Sequence, residues 1–220
     1  HPNDFVFAPD AYGNHRELTF QGVATVHQLW RGEKITKRGG QDSAVELSIY
    51  PRPKQASLPS WLTIVNNPDT YRKAGEMGVG VLTNLMGQSL DDLAANIVLY
   101  RQALAAHGHN PSEGNVTVLI HTYLSADADQ AIQQARQPLC DYLLSSIGLF
   151  QRMAQNGGPA VDIDRLTPAD KAYLVQSAYE KYVASSALIG SPQSCAPILE
   201  HLLAIGVDEL ACFVDFGVSR

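Results

Sequence analysis

The sequence predicts an α/β protein built on a parallel sheet. Three observations carry that expectation. From residue 61 onward, short apolar runs alternate with helical patterns, as in chains of βα units. Two of the runs, Trp61-Leu62-Thr63-Ile64-Val65 and 210–216, are almost continuously apolar, the pattern of strands covered on both faces. Helix-start signals, Ser89 with Asp92, Thr167-Pro168 and Ser191-Pro192, fall after the runs or between them. The count is three βα units, a further helical stretch and a terminal strand. Periodicity leaves an open sheet and a barrel as alternatives.

Taken in order, Leu18, Val23, Val26, Leu29 and Trp30 recur at helical spacing and predict a helix over 14–30, stopped by Gly32. Residues 34–41 are polar and contain glycine, so they read as a loop or hairpin tip. Val45 to Tyr50 alternates with period two and predicts a half-buried edge strand ended by Pro51 and Pro53. The run 61–65 leads through Asn66-Asn67-Pro68-Asp69 into a helix reaching Met77. The run 80–85 leads into a helix over 89–107, whose Ser89 and Asp92 form a shortened capping box. A Val-, Thr- and Ile-rich strand follows over 115–124, then a helix over 127–150 and an irregular excursion over 151–165. Thr167-Pro168 opens a helix to about 188, Ser191-Pro192 opens another to about 205, and 209–216 is the last strand.

The composition narrows the function. With 16 basic against 22 acidic side chains and a formal charge of −6, the chain lacks the basic balance of a general nucleic-acid binder. It has no apolar run of 18 residues and no signal-peptide pattern, so neither a membrane span nor secretion is expected. Cys140, Cys195 and Cys212 are far apart and odd in number; they read as thiols of a reducing cytoplasm. The opening His1-Pro2-Asn3-Asp4-Phe5 has no methionine, which suggests a portion of a longer protein.

In either parallel architecture, ligands gather at the carboxyl ends of the strands. After the first run come Asn66, Asn67, Pro68, Asp69 and Thr70. A helix start of this kind favours a phosphate through its free N–H groups and dipole, although a plain Asn-Pro cap is the simpler reading. After the second run, Asn84 and Gln88 flank Gly87 and could hydrogen-bond a flat heterocycle; an ordinary loop is the alternative. His121 sits near the end of the third strand, as a pocket histidine or as a hydrogen-bonded structural one. No nucleophile elbow, Walker loop, dinucleotide turn, zinc spacing or placed carboxylate pair is present.

Several stretches, in order along nearly the whole chain, resemble one family. They are His1-Pro2-Asn3-Asp4-Phe5, Arg16-Glu17, Gln28-Leu29-Trp30-Arg31-Gly32-Glu33, Tyr50-Pro51-Arg52-Pro53, Trp61-Leu62-Thr63 and Asn67-Pro68-Asp69-Thr70-Tyr71. Val81 through Gln88, His121-Thr122-Tyr123 and Gly206 through Gly217 complete the set. Together they resemble the luciferase-like flavin-dependent monooxygenases, in the branch associated with nonribosomal-peptide and polyketide biosynthesis.

The resemblance implies a TIM-like (β/α)8 barrel of which residues 1–220 supply only the carboxyl-terminal half, strands five to eight. It implies reduced FMN, delivered by a separate flavin reductase, reacting with O2 to oxygenate an organic substrate. The phosphate would sit on Asn66, Asn67, Pro68 and Thr70, where Val65-Asn66 stands in place of the family's usual Ala-Gly pair. His1 and Asn3 would border the flavin; His121, Asn84 and Gln88 would line the substrate site. The catalytic residues would lie in the other half, so none is assigned. A carrier-protein-bound substrate or assembly-line enzyme is the implied partner, with a homodimer left open and a cytoplasmic location. The alternatives are an F420-dependent oxidoreductase of the same superfamily and a non-catalytic flavin-binding or structural half-barrel.

Overall fold

The computed structural model describes residues 2–145 and 166–218. The chain forms two compact units, His1–Ser60 and Trp61–Arg220.

In the first unit, two 3-10 turns, Pro2–Phe5 and Pro9–Asn14, precede helix α1, His15–Arg31. Gly32 ends α1 as the sequence predicts: its φ of 88° is left-handed, and its N–H reaches Leu29 O at 3.0 Å. Residues 34–41, read as a loop or hairpin tip, supply one arm of a hairpin and the start of its tip, closed by Gly39 N to Ser43 O at 2.8 Å. Ile35–Arg38 forms strand β1, which pairs antiparallel with β2, Ala44–Leu47, with Ile35 opposite Leu47. The half-buried strand expected over 45–50 is therefore shorter, and it is exposed along its length, with β1 as its one sheet neighbour among the described residues. Trp30 Nε1 donates to Gln55 O at 3.0 Å, and Arg52 donates to Leu29 O and Trp30 O, tying the end of the unit to α1. No residue of α1 is buried, and Phe7 and Tyr50 are 98% and 82% exposed.

The second unit is the predicted α/β array. It runs β3 (Trp61–Thr63), α2 (Pro68–Met77), β4 (Gly80–Asn84), α3 (Leu90–Ala106), β5 (Val116–Leu124) and α4 (Ala128–Ser145). After the undescribed segment come α5 (Pro168–Ser185), β6 (Leu188–Gly190), α6 (Pro192–Ala204) and β7 (Glu209–Phe213). Every strand pair is parallel, in the order β3-β4-β5-β6, and β7 also pairs with β5. Among the described residues β3 pairs only with β4 and β7 only with β5, so the sheet is open.

Local signals set the helix starts. Ser89 Oγ accepts from Asp92 N while the Asp92 carboxylate accepts from Ser89 N and Oγ, a reciprocal box that holds the Asp92 carboxyl below its usual range. Thr167 with Asp170 and Ser191 with Ser194 repeat it at α5 and α6.

Four expectations need correction. Helix α5 stops at Ser185, and Leu188 belongs to the short strand β6. The strand expected over 209–216 ends at Phe213. The run 61–65 gives a strand of only three residues, with Trp61 and Thr63 exposed. Nor is β7 buried, since Glu209 and Cys212 are exposed. Apolar composition overstated the burial of β3 and β7 because each lacks a second strand neighbour among the described residues. Residues 146–150 of the expected fourth helix, and the excursion over 151–165, lie outside the described residues.

Register explains the core. Leu62, Val81 and Val116 align across β3, β4 and β5 and are all buried. Tyr71, Ala74, Leu93, Ile97, Tyr100 and Leu104 of α2 and α3 are buried with them. The two helices approach so closely at Gly75 that a Cβ there would lie 2.6 Å from Tyr100 O. A second cluster joins Leu139, Cys140 and Leu143 of α4 to Val175 and Tyr179 of α5, with Ile189 and Phe216. Among the described residues no helix is long and apolar enough to cross a membrane.

Candidate functional site at the carboxyl ends of the strands

The loops after β3 and β4 are knitted together. Val65 O, just past β3, accepts from Thr83 Oγ1 at 3.3 Å and from the Tyr71 hydroxyl at 3.4 Å. Gln88 Nε2 then donates to Thr83 Oγ1 at 2.7 Å and to Asn84 O at 2.8 Å, and Asn84 Oδ1 caps Met86 N at 2.9 Å. Gln88 Oε1 is buried with no hydrogen-bond partner among the described residues. An orphaned acceptor of this kind costs free energy unless something donates to it.

At the start of α2, Asn67 Oδ1 takes Thr70 N at 3.0 Å and Thr70 Oγ1 at 3.2 Å, while Tyr71 N bonds Asn67 O. Pro68 has no N–H to offer. Asn66 Oδ1 lies 3.5 Å from Asn96 Nδ2. The cations of the helix are ion-paired, Arg72 with Asp69 at 2.6 Å and Lys73 with Glu76 at 2.9 Å. The Asn67 side-chain carbonyl oxygen holds the Thr70 N–H and hydroxyl, so a phosphate reaching those two donors would compete with Asn67 Oδ1 for them. Asn66, Asn84 and Gln88 are neutral amides on these neighbouring loops, with the Gln88 carbonyl oxygen buried and the Asn84 oxygen engaged by Met86 N; groups of this type could hydrogen-bond a flat heterocycle.

His121, near the end of β5, is placed differently. It is 3% exposed and ringed edge-on by Tyr142, Tyr182, Phe213 and Phe216 at centroid distances of 5.2, 5.6, 5.0 and 5.4 Å. Its Nδ1 lies 2.8 Å from the Tyr182 hydroxyl, while Nε2 is buried with no partner among the described residues. Burial pushes its pKa down to about 4, so the ring is neutral near pH 7. Burial likewise pushes the Tyr182 phenol well above its ordinary value.

Of the residues singled out from the sequence, Asn66, Asn67, Pro68, Thr70, Asn84 and Gln88 lie on two neighbouring, hydrogen-bonded loops. His121 stands in its own aromatic enclosure. Asn3 belongs to the first 3-10 turn of the other unit, and His1 lies outside the described residues. Sequence reasoning missed Tyr182, whose only signal is its place one turn beyond buried Tyr179. It also missed Tyr142, on the helix opposite. Among the described residues no group of three or more His, Cys, Asp or Glu side chains could hold a metal ion. Cys140 and Cys195 are buried free thiols, raised in pKa by desolvation, and Cys212 is exposed.

A parallel sheet alternating with helices, with polar loops at its carboxyl ends, defines an α/β protein. The Luciferase-like monooxygenase family matches over residues 9–209, and the chain belongs to it. No curated protein sequence matches the chain. Among solved structures, monooxygenase RslO1 from Streptomyces bottropensis is 21% identical, with a TM-score of 0.67 over 100% of this chain and 60% of its own. The coenzyme F420-dependent tetrahydromethanopterin reductase from Methanopyrus kandleri is 19% identical, with a TM-score of 0.62 over 89% and 55%. The oxygenating constituent of 3,6-diketocamphane monooxygenase from the CAM plasmid of Pseudomonas putida, solved with FMN, is 18% identical, with a TM-score of 0.60 over 90% and 56%. At these identities the likeness is one of fold. The chain spans 60% or less of the length of these three proteins.

Proposed function

We propose that the chain is the carboxyl-terminal part of a luciferase-like barrel that uses reduced FMN and O2 to oxygenate an organic substrate of natural-product biosynthesis. The family match over residues 9–209 carries this reading. The open sheet supports it, with one unpaired edge on β3 and another on β7 among the described residues. When bound, the reduced flavin supplies the electrons for O2 activation. This chain's own part is to hold and shield it. The N-terminal turn of α2, with Asn67 and Thr70, receives the phosphate; Asn66, Asn84 and Gln88 orient the heterocycle edge. The aromatic wall around His121 keeps water from that end of the sheet.

A separate flavin reductase supplies the reduced cofactor, and a carrier protein presents the substrate. The protein works in the cytoplasm. The test is the full-length protein with a flavin reductase, NAD(P)H and 18O2. Incorporation of one labelled oxygen into an aryl ketone or polyketide-like substrate supports the reading. Turnover that needs reduced F420 and incorporates no label replaces it with the deazaflavin oxidoreductase reading, which the fold shared with an F420-dependent reductase favours.

A further inference from the structure

A cavity of about 330 Å3 opens beside the aromatic enclosure, lined by Met86, Leu143, Ala178, Lys181, Tyr182, Ser185 and Ser186. Its volume is at the lower end of the roughly 300–1,000 Å3 of small-molecule sites. The lining has two characters. Met86, Leu143, Ala178 and the Tyr182 ring are apolar, whereas Lys181, Ser185 and Ser186 bring one positive charge and two hydroxyls from the last turns of α5. Lys181 is exposed and makes no ion pair among the described residues.

Tyr182 belongs to both the cavity and the enclosure. Its ring lines the cavity and its hydroxyl is held at 2.8 Å by Nδ1 of His121. For packing alone, phenylalanine would serve at position 121 without stranding a ring nitrogen. A neutral imidazole with Nδ1 bonded and Nε2 orphaned is worth keeping if it fixes the Tyr182 side chain in one rotamer.

We infer that this cavity binds a small amphipathic carboxylate, with its apolar body against Met86, Leu143, Ala178 and the Tyr182 ring and its carboxylate at Lys181. The charge selects the occupant. The exposed Lys181 ammonium complements a carboxylate head, with Ser185 Oγ, which donates to Lys181 O at 3.0 Å, and Ser186 Oγ on the same lining, and the apolar lining complements a hydrocarbon or aryl body. His121 is a positioning residue: it acts through Tyr182 and touches no ligand. The inference stands apart from the flavin chemistry, because binding is read without any cofactor.

The experiment titrates the full-length, flavin-free protein with 2-naphthoate and with its uncharged isostere, 2-naphthamide, by calorimetry. Saturable binding of the carboxylate, roughly fivefold tighter than the amide, is expected. Lys181→Gln removes that preference and leaves the amide unaffected. Ala178→Leu fills the cavity from an exposed helix position and abolishes both. His121→Phe and Tyr182→Phe, which break the same hydrogen bond from opposite sides, weaken both ligands while preserving the carboxylate preference. A purely structural histidine would leave the affinities of the folded variants unchanged. Absence of saturable naphthoate binding, equal affinity for the amide, or binding untouched by Ala178→Leu overturns the inference.

Discussion

Arg101 Nη2 lies 2.6 Å from Asp208 Oδ2, although 107 residues separate them in the sequence. The same guanidinium donates through Nη1 to Pro111 O at 2.5 Å and Gly114 O at 2.6 Å, and Asp208 Oδ2 accepts from Val116 N at 2.7 Å. One side chain thus fastens the turn before β5 to the turn before β7, at the end of the sheet opposite the candidate site. It sets the register of the strand pair whose other end carries His121 opposite Phe213.

Arg101→Ala removes the donor from three backbone carbonyls, Pro111 O, Gly114 O and Gly206 O, and the partner from the exposed Asp208 carboxylate, and should cost about 1–3 kcal/mol of unfolding free energy. Arg101→Lys recovers only part of this, because an ammonium cannot reach both sides of the fork. Urea denaturation of the three proteins checks it. Equal midpoints for wild type and Arg101→Ala would remove the clamp from the account.

Gly75→Ala places a methyl group 2.6 Å from Tyr100 O and 2.7 Å from Ala103 Cβ, against helix backbone that cannot simply rotate away. The expected loss is about 1–3 kcal/mol despite the better helix propensity of alanine. At an exposed helical site the same change would stabilise, so the sign of the shift in thermal midpoint decides the matter.

His121 is depressed from 6.5 to about 4 in the folded protein, so the unfolded chain binds its proton first as the pH falls. Its contribution is therefore complete above about pH 6.5 and is lost progressively down to about pH 4, by roughly 3 kcal/mol in all. His121→Phe should abolish this share of the acid destabilisation. The difference between the two proteins' stabilities, followed from pH 7 to pH 4, is the measurement; a constant difference would contradict it.

Asn67→Asp separates the cap from the phosphate site. Aspartate caps a helix as well as asparagine does and suits its dipole, so thermal stability should hold or rise slightly. If the flavin phosphate comes to this helix start, the added negative charge should weaken reduced-FMN binding by about tenfold. Unchanged affinity would move the phosphate elsewhere.

What could be read in the sequence was what the chain writes locally. The caps at Ser89, Thr167 and Ser191 and the stop at Gly32 depend on neighbours within four residues. The parallel array followed from their alternation with apolar runs. What escaped depends on partners distant in the chain. Leu188 to Gly190 continues an apolar pattern out of α5, and only pairing with Thr122 to Leu124 makes it a strand. Ile35 to Arg38 is polar after its first residue and becomes a strand through its register with β2. In the candidate site, the loop residues Asn66, Asn67, Asn84 and Gln88 were legible because they follow the strands. The hold of Tyr182 on His121 was not, since 61 residues separate them and a helical tyrosine gives no sign of what its hydroxyl meets.

In the proposed function this chain helps to hold a reduced flavin at the carboxyl ends of its strands. Anaerobic titration of the full-length protein with reduced FMN, followed by flavin fluorescence and calorimetry, tests it most directly. Saturable, one-to-one binding is expected, weakened by Asn67→Asp and left in place by Arg101→Lys at the opposite end of the sheet. Absence of reduced-FMN binding by a folded full-length protein would contradict it.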